Sequence, residues 1–572
     1  MIRYVRDHIA GLLEAIGIGE AGIILTTPPK KEMGDVAFPV FQYAKEHKLN
    51  PADAAKLLAE KFNAETEDTL VERAEAFGPY VNFFLNDREL AHIVLNLTEH
   101  DASVVPDSKG TVMIEYACPN THKAFHIGHL RNVILGESLV RLHEYAGYRV
   151  IRANYQGDVG MHIAKCLWGI EQLKDEYDAV LKASIQDRMK FVGKAYAHGA
   201  TAFETDKKTE EEIKGYNEMI YRKDQSIEEV YETTRGWSLE YLENIYKLLD
   251  TKFDRYYFES EVFGRAVDIV HEQVVNGVFV QSEGAVIFKG SEHGLHDRVF
   301  FTTAGFPTYE AKDLALAEKQ FAEFHPDGIY HVIGPEQSDY LKVLFKALEY
   351  TLPESKNKEF HVPYGWVTLK GGKMSSRTGN VVPAESLIGE VEDHIREHIE
   401  TSEVKATLSA EEKAGTITKV AMGAIKYAFL KTGRTNDMVF DMEESVSTSG
   451  DSGPYLLYIV ARFKSIIAKS TPMGVAGELY IPEVLESAEK GLVTKLGEFT
   501  AAVEDAVSKQ DPSCIAQYQF ELAQAGSRFY QECPVLGSPE PIQEFRIVLI
   551  SKVVHTMERG FDLLGITTVE HM

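Results

Sequence analysis

Basic charge is the first thing this sequence has little of. Lys and Arg number 60 against 87 Asp and Glu, a formal net charge of −27 over 572 residues. Phosphate contacts are made mostly by Lys and Arg, so this balance excludes a chain that coats nucleic acid through bulk charge. It leaves room for local basic patches and for contacts to unpaired bases. Cysteine is equally scarce. Cys118, Cys166, Cys514 and Cys533 show neither paired metal spacing nor a disulfide framework. No apolar stretch approaches the ~18 uncharged residues that span a bilayer. The opening MIRYVRDHIAGLLEAIG carries charges through its apolar run and lacks a small-residue cleavage site. It reads as an amphipathic helix, not a signal peptide. Together these absences predict a soluble, cytoplasmic protein with no membrane contact and no structural metal of its own. What is present, 44% hydrophobic and 26% charged residues, is ordinary for a globular chain. The length calls for several domains. Composition alone points to a metabolic enzyme.

The order of patterns along the chain is more specific. Up to about residue 105 helical periodicity dominates, as in PADAAKLLAEKFN, ending in an alternating run, GPYVNFFLN, that predicts a strand. The polar turn DSKG at 107–110 marks a boundary. A strand–loop–helix–strand unit follows: TVMIEYA, CPNTHKAFHIGH, LRNVILGESLVRLHEYAGY, RVIRANY. Such alternation implies a right-handed crossover and a parallel sheet. Residues of about 175–252 are charged and helical without strand signal, and read as an insertion. Strand patterns return in GAVIFKG, RVFFTT, GIYHVIG and FHVPYGWVTL, and beyond about 385 the pattern is helical throughout. The expected class is multidomain α/β: an N-terminal α+β domain over 1–106, a Rossmann-like parallel-sheet core over 107–385, and an all-α helical bundle over 386–572.

Two motifs carry chemistry. His126-Ile127-Gly128-His129 lies at the first strand-to-helix turn, where open parallel sheets bind nucleotides. Its imidazoles can donate to phosphate oxygens, Gly128 admits close approach, and the helix N-terminus favours anions. The second is Lys373-Met374-Ser375-Ser376-Arg377, between Gly371-Gly372 and Gly379. A glycine-flanked loop with a lysine, two hydroxyls and an arginine can close over a triphosphate and neutralise a leaving pyrophosphate. Each alone also reads as an incidental helix start or a solvated loop. Their order, each behind an expected strand, argues against coincidence.

Here the chain resembles the class I aminoacyl-tRNA synthetases, whose signatures are HIGH and KMSKS. The resemblance implies activation of an amino acid by ATP, with magnesium accompanying the nucleotide, and transfer to the 2′-hydroxyl of a tRNA's terminal adenosine. His126, His129 and Lys373 would act on the phosphates, and Gly128, Gly334, Met374, Ser375, Ser376 and Arg377 would line the ATP site. Ser376 stands where KMSKS has its second lysine, which leaves one cation missing; Lys123, three residues before His126, is placed to supply it.

The amino acid follows from other residues. Tyr309 and Asp313, in YEAKD, put an aromatic and a carboxylate on one face of a helical turn. A planar, permanently charged guanidinium suits that pair. The segment resembles the YxxxD signature of the arginyl-tRNA synthetases, and much of the chain agrees with that family. Glu115 to Asn120 (EYACPN) is similar to its ExSSPN segment, with Cys118 where a serine is usual. Gln337, in HVIGPEQ, falls at the family's arginine-binding glutamine, and Glu259, after Phe253-Asp254, at a glutamate that reaches the guanidinium. Gly34-Asp35-Val36-Ala37 with FQYAK resembles the family's domain for the tRNA corner. GDSGPYLLYIVARF resembles its anticodon-binding helix and puts Tyr455, Tyr458 and Arg462 on one face. That face can stack splayed bases. Either tyrosine also fits a core position, and Arg462, Lys464 and Lys469 also fit a solvated face. The resemblance implies L-arginine, ATP and arginine tRNA as substrates, a monomer, and arginine activation that needs bound tRNA. Two rivals remain at this point, a smaller HIGH-fold nucleotidyltransferase and a catalytically retired paralogue that binds tRNA.

Overall fold

A computed structural model describes residues 2–96, 109–370, 382–401, 409–470, 479–570 and 572. The glycine-flanked loop lies outside them, and with it Lys373, Met374, Ser375, Ser376 and Arg377. The chain divides into two compact units. One holds Met1–Val104, Ile399–Gly423 and Ser447–Met572; the other holds Val105–His398 and Ala424–Val446.

In the first unit, early and late segments pack together. A three-stranded antiparallel sheet places Tyr80–Leu85 between Val36–Pro39 and Val71–Phe77. The helix Pro51–Glu65 starts where it does because Asn50 caps it, accepting from the Ala52 amide, and Pro51 fixes the first position. It buries Ala54, Ala55, Leu58, Ala59 and Phe62, a helical stripe whose Phe62 ring meets Phe83 of the central strand edge-on at 5.0 Å. The helix Asp87–Asn96 lies against Ser487–Gly497. There Lys490 reaches Asp35 at 3.2 Å and Asp87 at 2.8 Å.

The second unit is built on five parallel strands in the order Glu359–Val362, Gly328–Val332, Thr111–Glu115, Arg149–Gln156, Arg255–Phe258. The chain lays down Thr111–Glu115 first, adds two strands on one side, and then crosses to the other. The sheet therefore reverses direction beside its central strand, and a crevice opens at the carboxyl ends there. Thr111–Glu115 is buried almost throughout, as a strand covered on both faces must be.

The helix Ile127–Tyr145 departs from simple amphipathy. It is enclosed nearly all round, and its buried polar residues serve as anchors. Arg131 donates to the carbonyls of Trp366, Arg434 and Asn436. Asn132 accepts from the Ala117 amide at 2.6 Å and donates to the Val332 carbonyl at 2.7 Å. The charged stretch of about 175–252 folds as the helices Lys174–Val180, Ile185–Thr205, Lys207–Arg222 and Gln225–Leu248. Two sequence expectations need correction. Among the described residues the first hundred hold three strands rather than one, because Val36–Pro39 is short and neither it nor Val71–Phe77 alternates buried with exposed positions. Among the described residues beyond 385 there is one strand, Met438–Phe440, which pairs parallel with Val367–Leu369. Among the described residues no helix is long and apolar enough to cross a membrane.

Candidate active site

A cleft of about 1070 Å³ opens at the sheet's reversal point. Each carboxyl end contributes to it: Glu115, Cys118 and Asn120 after the central strand, Gly157 and Glu259 after the next two, Gly334 and Gln337 after Gly328–Val332. Tyr309 and Asp313 come from the helix Tyr309–Phe324, and His126, Gly128 and His129 from the first crossover helix. Eleven residues expected from sequence thus line one cavity, and Lys123 flanks it. Tyr455, Tyr458 and Arg462 lie in the other unit, on the helix Gly453–Lys469. The Arg462 guanidinium sits 4.9 Å from the Tyr458 ring centre and 4.7 Å from that of Tyr530, a tyrosine the sequence had not singled out.

The two HIGH histidines cap their own helix. His126 Nδ1 accepts from the amides of Gly128 at 3.1 Å and His129 at 3.4 Å, while His129 Nδ1 accepts from the His126 amide at 3.3 Å. A backbone N–H can only donate, so each Nδ1 is an acceptor and each neutral ring carries its proton on Nε2. The rings stack with centres 3.7 Å apart. Burial and then Lys123 lower the His126 pKa; burial, His126 and Lys123 lower that of His129 further. Both are neutral Nε2–H donors at pH 7. A Cβ on Gly128 would stand 3.0 Å from the His126 ring folded over it and would press on that ring's position. Lys123 lies over the Tyr196 ring at 5.8 Å, and burial and then Lys165 lower its pKa.

The loop after the central strand is strained. Ala117, Cys118 and His122 all have left-handed backbone, at φ of 69°, 44° and 61°. Such conformations cost on the order of 1 kcal/mol each and concentrate where geometry serves a ligand. This one brings Asn120 beside Gly157, whose Thr121 N–H···O=C bond measures 2.9 Å. A Cβ on Gly157 would stand 2.2 Å from Asn120 Oδ1. Burial, and then Glu115, hold the Cys118 thiol well above its ordinary pKa, which keeps it in the weakly nucleophilic thiol form.

The carboxylates are paired in ways no local pattern announces. Asp313 accepts from the Tyr340 hydroxyl, and burial, with Glu115 and Glu259 nearby, raises its pKa to about 7. Glu259 is bonded to Lys312, itself buried and 4.3 Å from the Tyr309 ring centre. Glu115 receives Gln320 Nε2 at 2.7 Å and His331 Nδ1 at 3.1 Å, and the other nitrogen of His331 meets Glu359 at 2.7 Å. Burial opposes charge on His331, but the two glutamates outweigh it and raise its pKa to about 10. An imidazolium thus ties three strands' ends together under the cleft.

Removing that cation leaves two buried carboxylates facing each other. His331→Leu is expected to cost about 3–5 kcal/mol, read as a lower urea midpoint of the catalytic unit. In the wild type this contribution is fully present below the ordinary histidine pKa and fades as pH climbs towards 10. A midpoint equally low in wild type and variant at neutral pH would sink the assignment.

Comparison with known proteins agrees with this geometry. Residues 92–442 match the family described as tRNA synthetases class I (R), catalytic domain. Residues 3–85 match the arginyl tRNA synthetase N terminal domain, and 456–572 the DALR anticodon binding domain. An arginine–tRNA ligase of Clostridium perfringens is 32% identical over 99% of this chain and 98% of its own length. One of Bdellovibrio bacteriovorus is 31% identical over 96% of this chain and 94% of its own. The solved arginyl-tRNA synthetase of Thermus thermophilus superposes over all of both chains with a TM-score of 0.80 at 25% identity. With the HIGH turn, the YxxxD helix and the sheet's reversal crevice assembled in one cleft, the chain belongs to the arginyl-tRNA synthetases, the class I arginine–tRNA ligases.

Proposed function

We propose that this cleft joins L-arginine to ATP as arginyl-adenylate and then passes the arginyl group to the 2′-hydroxyl of the terminal adenosine of arginine tRNA. One observation carries the reading: two neutral Nε2–H imidazoles on a helix N-terminus share a cleft with a carboxylate, Asp313, that has an exposed tyrosine one turn before it. The substrate carboxylate attacks the α-phosphorus in line, the bond to the bridging oxygen breaks, and pyrophosphate leaves. His126 and His129 donate to the phosphate oxygens on which charge grows, and positioning supplies the rest. Lys373 takes the departing pyrophosphate. Lys123 provides the cation that Ser376 does not, and its lack of a carboxylate partner among the described contacts leaves its charge to the nucleotide. Magnesium enters with ATP as part of the substrate.

Asn120 holds the α-amino and carboxylate groups, and Tyr309, Asp313 and Gln337 the side chain, with Glu259 behind them. Glu115, already engaged by His331 and Gln320, acts by keeping the floor in place. Tyr455, Tyr458 and Arg462 meet the anticodon bases, in a division of labour between 1–106, 107–385 and 386–572. The enzyme works as a monomer in the cytoplasm.

The test is ATP–pyrophosphate exchange with arginine, with lysine and with no amino acid, each with and without arginine tRNA. Exchange that requires both arginine and tRNA is expected. A folded, tRNA-binding protein with no exchange under any condition would overturn the reading in favour of a retired paralogue.

A further inference from the structure

The helix Gln225–Leu248 carries Tyr231, Thr234, Arg235 and Ser238 at i, i+3, i+4 and i+7, which is one face. All four bond to the two loops that meet at the bridge between Asn120 and Gly157. On the Asn120 side the point of contact is His122, which is fully buried. Its amide donates to Ser238 Oγ at 3.1 Å, and Ser238 in turn donates to the Thr234 carbonyl at 3.0 Å. The Thr234 hydroxyl gives its proton to the Val230 carbonyl at 2.7 Å, so at 2.8 Å it accepts from His122 Nε2–H. His122 Nδ1 is then the acceptor for the Thr121 hydroxyl at 3.1 Å. On the Gly157 side the point of contact is Asp158. Its carbonyl accepts from the Tyr231 hydroxyl at 2.9 Å, and its carboxylate from Arg235 Nε at 2.9 Å. None of the four is among the described residues that line the cleft.

The loop that carries Asn120 needs such a hold. Asn120 lies between Cys118 and His122, both in left-handed backbone, with Ala117 a third. Backbone of that kind persists only where its surroundings over-determine it. We propose that this helix face positions the arginine site: Thr234 and Ser238 fix His122, and through it the place of Asn120 against the substrate's α-amino and carboxylate groups. The inference rests on the arginine site proposed above and deepens it. His122 is a strut in this arrangement, not an acid or a base. Both of its ring nitrogens are engaged, and burial, followed by Arg235, lowers its pKa to about 3. A neutral ring keeps one donor and one acceptor, which is the pair that Thr234 and Thr121 require. The bonds from Tyr231 and Arg235 steady the opposite half of the bridge from the same helix, so the two loops keep one spacing.

Thr234→Val keeps the shape of the side chain and removes the acceptor for His122 Nε2–H. In exchange with tRNA present, on preparations whose wild type is arginine-dependent, KM for arginine should rise about tenfold. KM for ATP should stay within twofold of wild type. So should inhibition by agmatine, which keeps the guanidinium and lacks the carboxylate that Asn120 holds. Thr234→Ser retains the hydroxyl and should bring KM for arginine back to near the wild-type value. Ser238→Ala removes one oxygen without adding bulk. It should raise KM for arginine in the same selective way, and it carries the test if Thr234→Val does not fold. A KM for arginine within twofold of wild type in either folded variant overturns the proposal. So does a parallel loss for ATP or agmatine, which would mark a cleft displaced as a whole. So does Thr234→Ser behaving like Thr234→Val, since the hydroxyl would then not be the link. Wild type without arginine-dependent exchange would instead bring down the functional reading itself.

Discussion

Asp313→Asn is expected to lower kcat/KM for arginine by about 10²- to 10³-fold. Removing one partner of a buried charge pair costs about 3–5 kcal/mol, and every 1.4 kcal/mol is a factor of ten. The same carboxyl should make arginine binding depend on pH. Burial raises its pKa to about 7, against the bond from Tyr340 and with Glu115 and Glu259 adding to the rise; Lys312 acts the other way. A guanidinium favours the charged form, so below about pH 7 binding must expel a proton. Affinity should then weaken about tenfold for each unit of further acidification. Among the neighbours His331 stays charged to about pH 10, and burial holds His126 and His129 below the ordinary histidine value. Calorimetry in buffers of different ionisation heat measures the released proton directly. A wild-type affinity that is flat between pH 6 and 8, or an unchanged pH dependence in Asp313→Asn, would exclude this role.

His126→Asn is expected to separate the two jobs of that histidine. Asparagine is among the best N-caps, so the helix Ile127–Tyr145 should keep its start and the melting temperature should move little. Its amide cannot reach where the imidazole Nε2–H points, and losing one preorganised donor to developing charge costs about 10²–10³ in rate. Exchange should fall by that factor with KM for arginine nearly unchanged. A variant that exchanges normally would reduce His126 to a capping residue. One that loses both stability and arginine affinity would show that the cap cannot be separated from the site.

What could be read from the sequence was local. The HIGH turn, the YxxxD helix and the strand runs are patterns within a dozen residues, where hydrophobic period and turn chemistry act directly. The reversal of the sheet beside Thr111–Glu115 was less visible, because the order of strands is not written in any one of them. The partners that govern the site's charge were not visible at all. Lys312 meets Glu259 across 53 residues of chain, and His331 meets Glu115 across 216. In the sequence Lys312 is an unremarked letter inside YEAKD, and His331 sits in an ordinary strand run. Both become informative only once burial removes water as an alternative partner. The enclosed character of Ile127–Tyr145 had one usable sign, since its Arg131, Asn132 and Glu137 interrupt positions that a two-sided helix would give to solvent or core alone.

The first compact unit also bears on how the protein is made. Its sheet and the helix Asp87–Asn96 leave the ribosome early, while their packing partner Ser487–Gly497 and the lysine that bridges Asp35 and Asp87 are still untranslated. At about 5–20 residues per second, the intervening chain takes on the order of tens of seconds to emerge. During that interval the face formed by Leu90, Ala91 and Val94 has nothing from Ser487–Gly497 to cover it. The catalytic unit, whose sheet is complete by Val362, can close before the unit that began first. Nascent chains halted near residue 450 should therefore bind chaperones through their earliest hundred residues, and release them once synthesis passes Gly497.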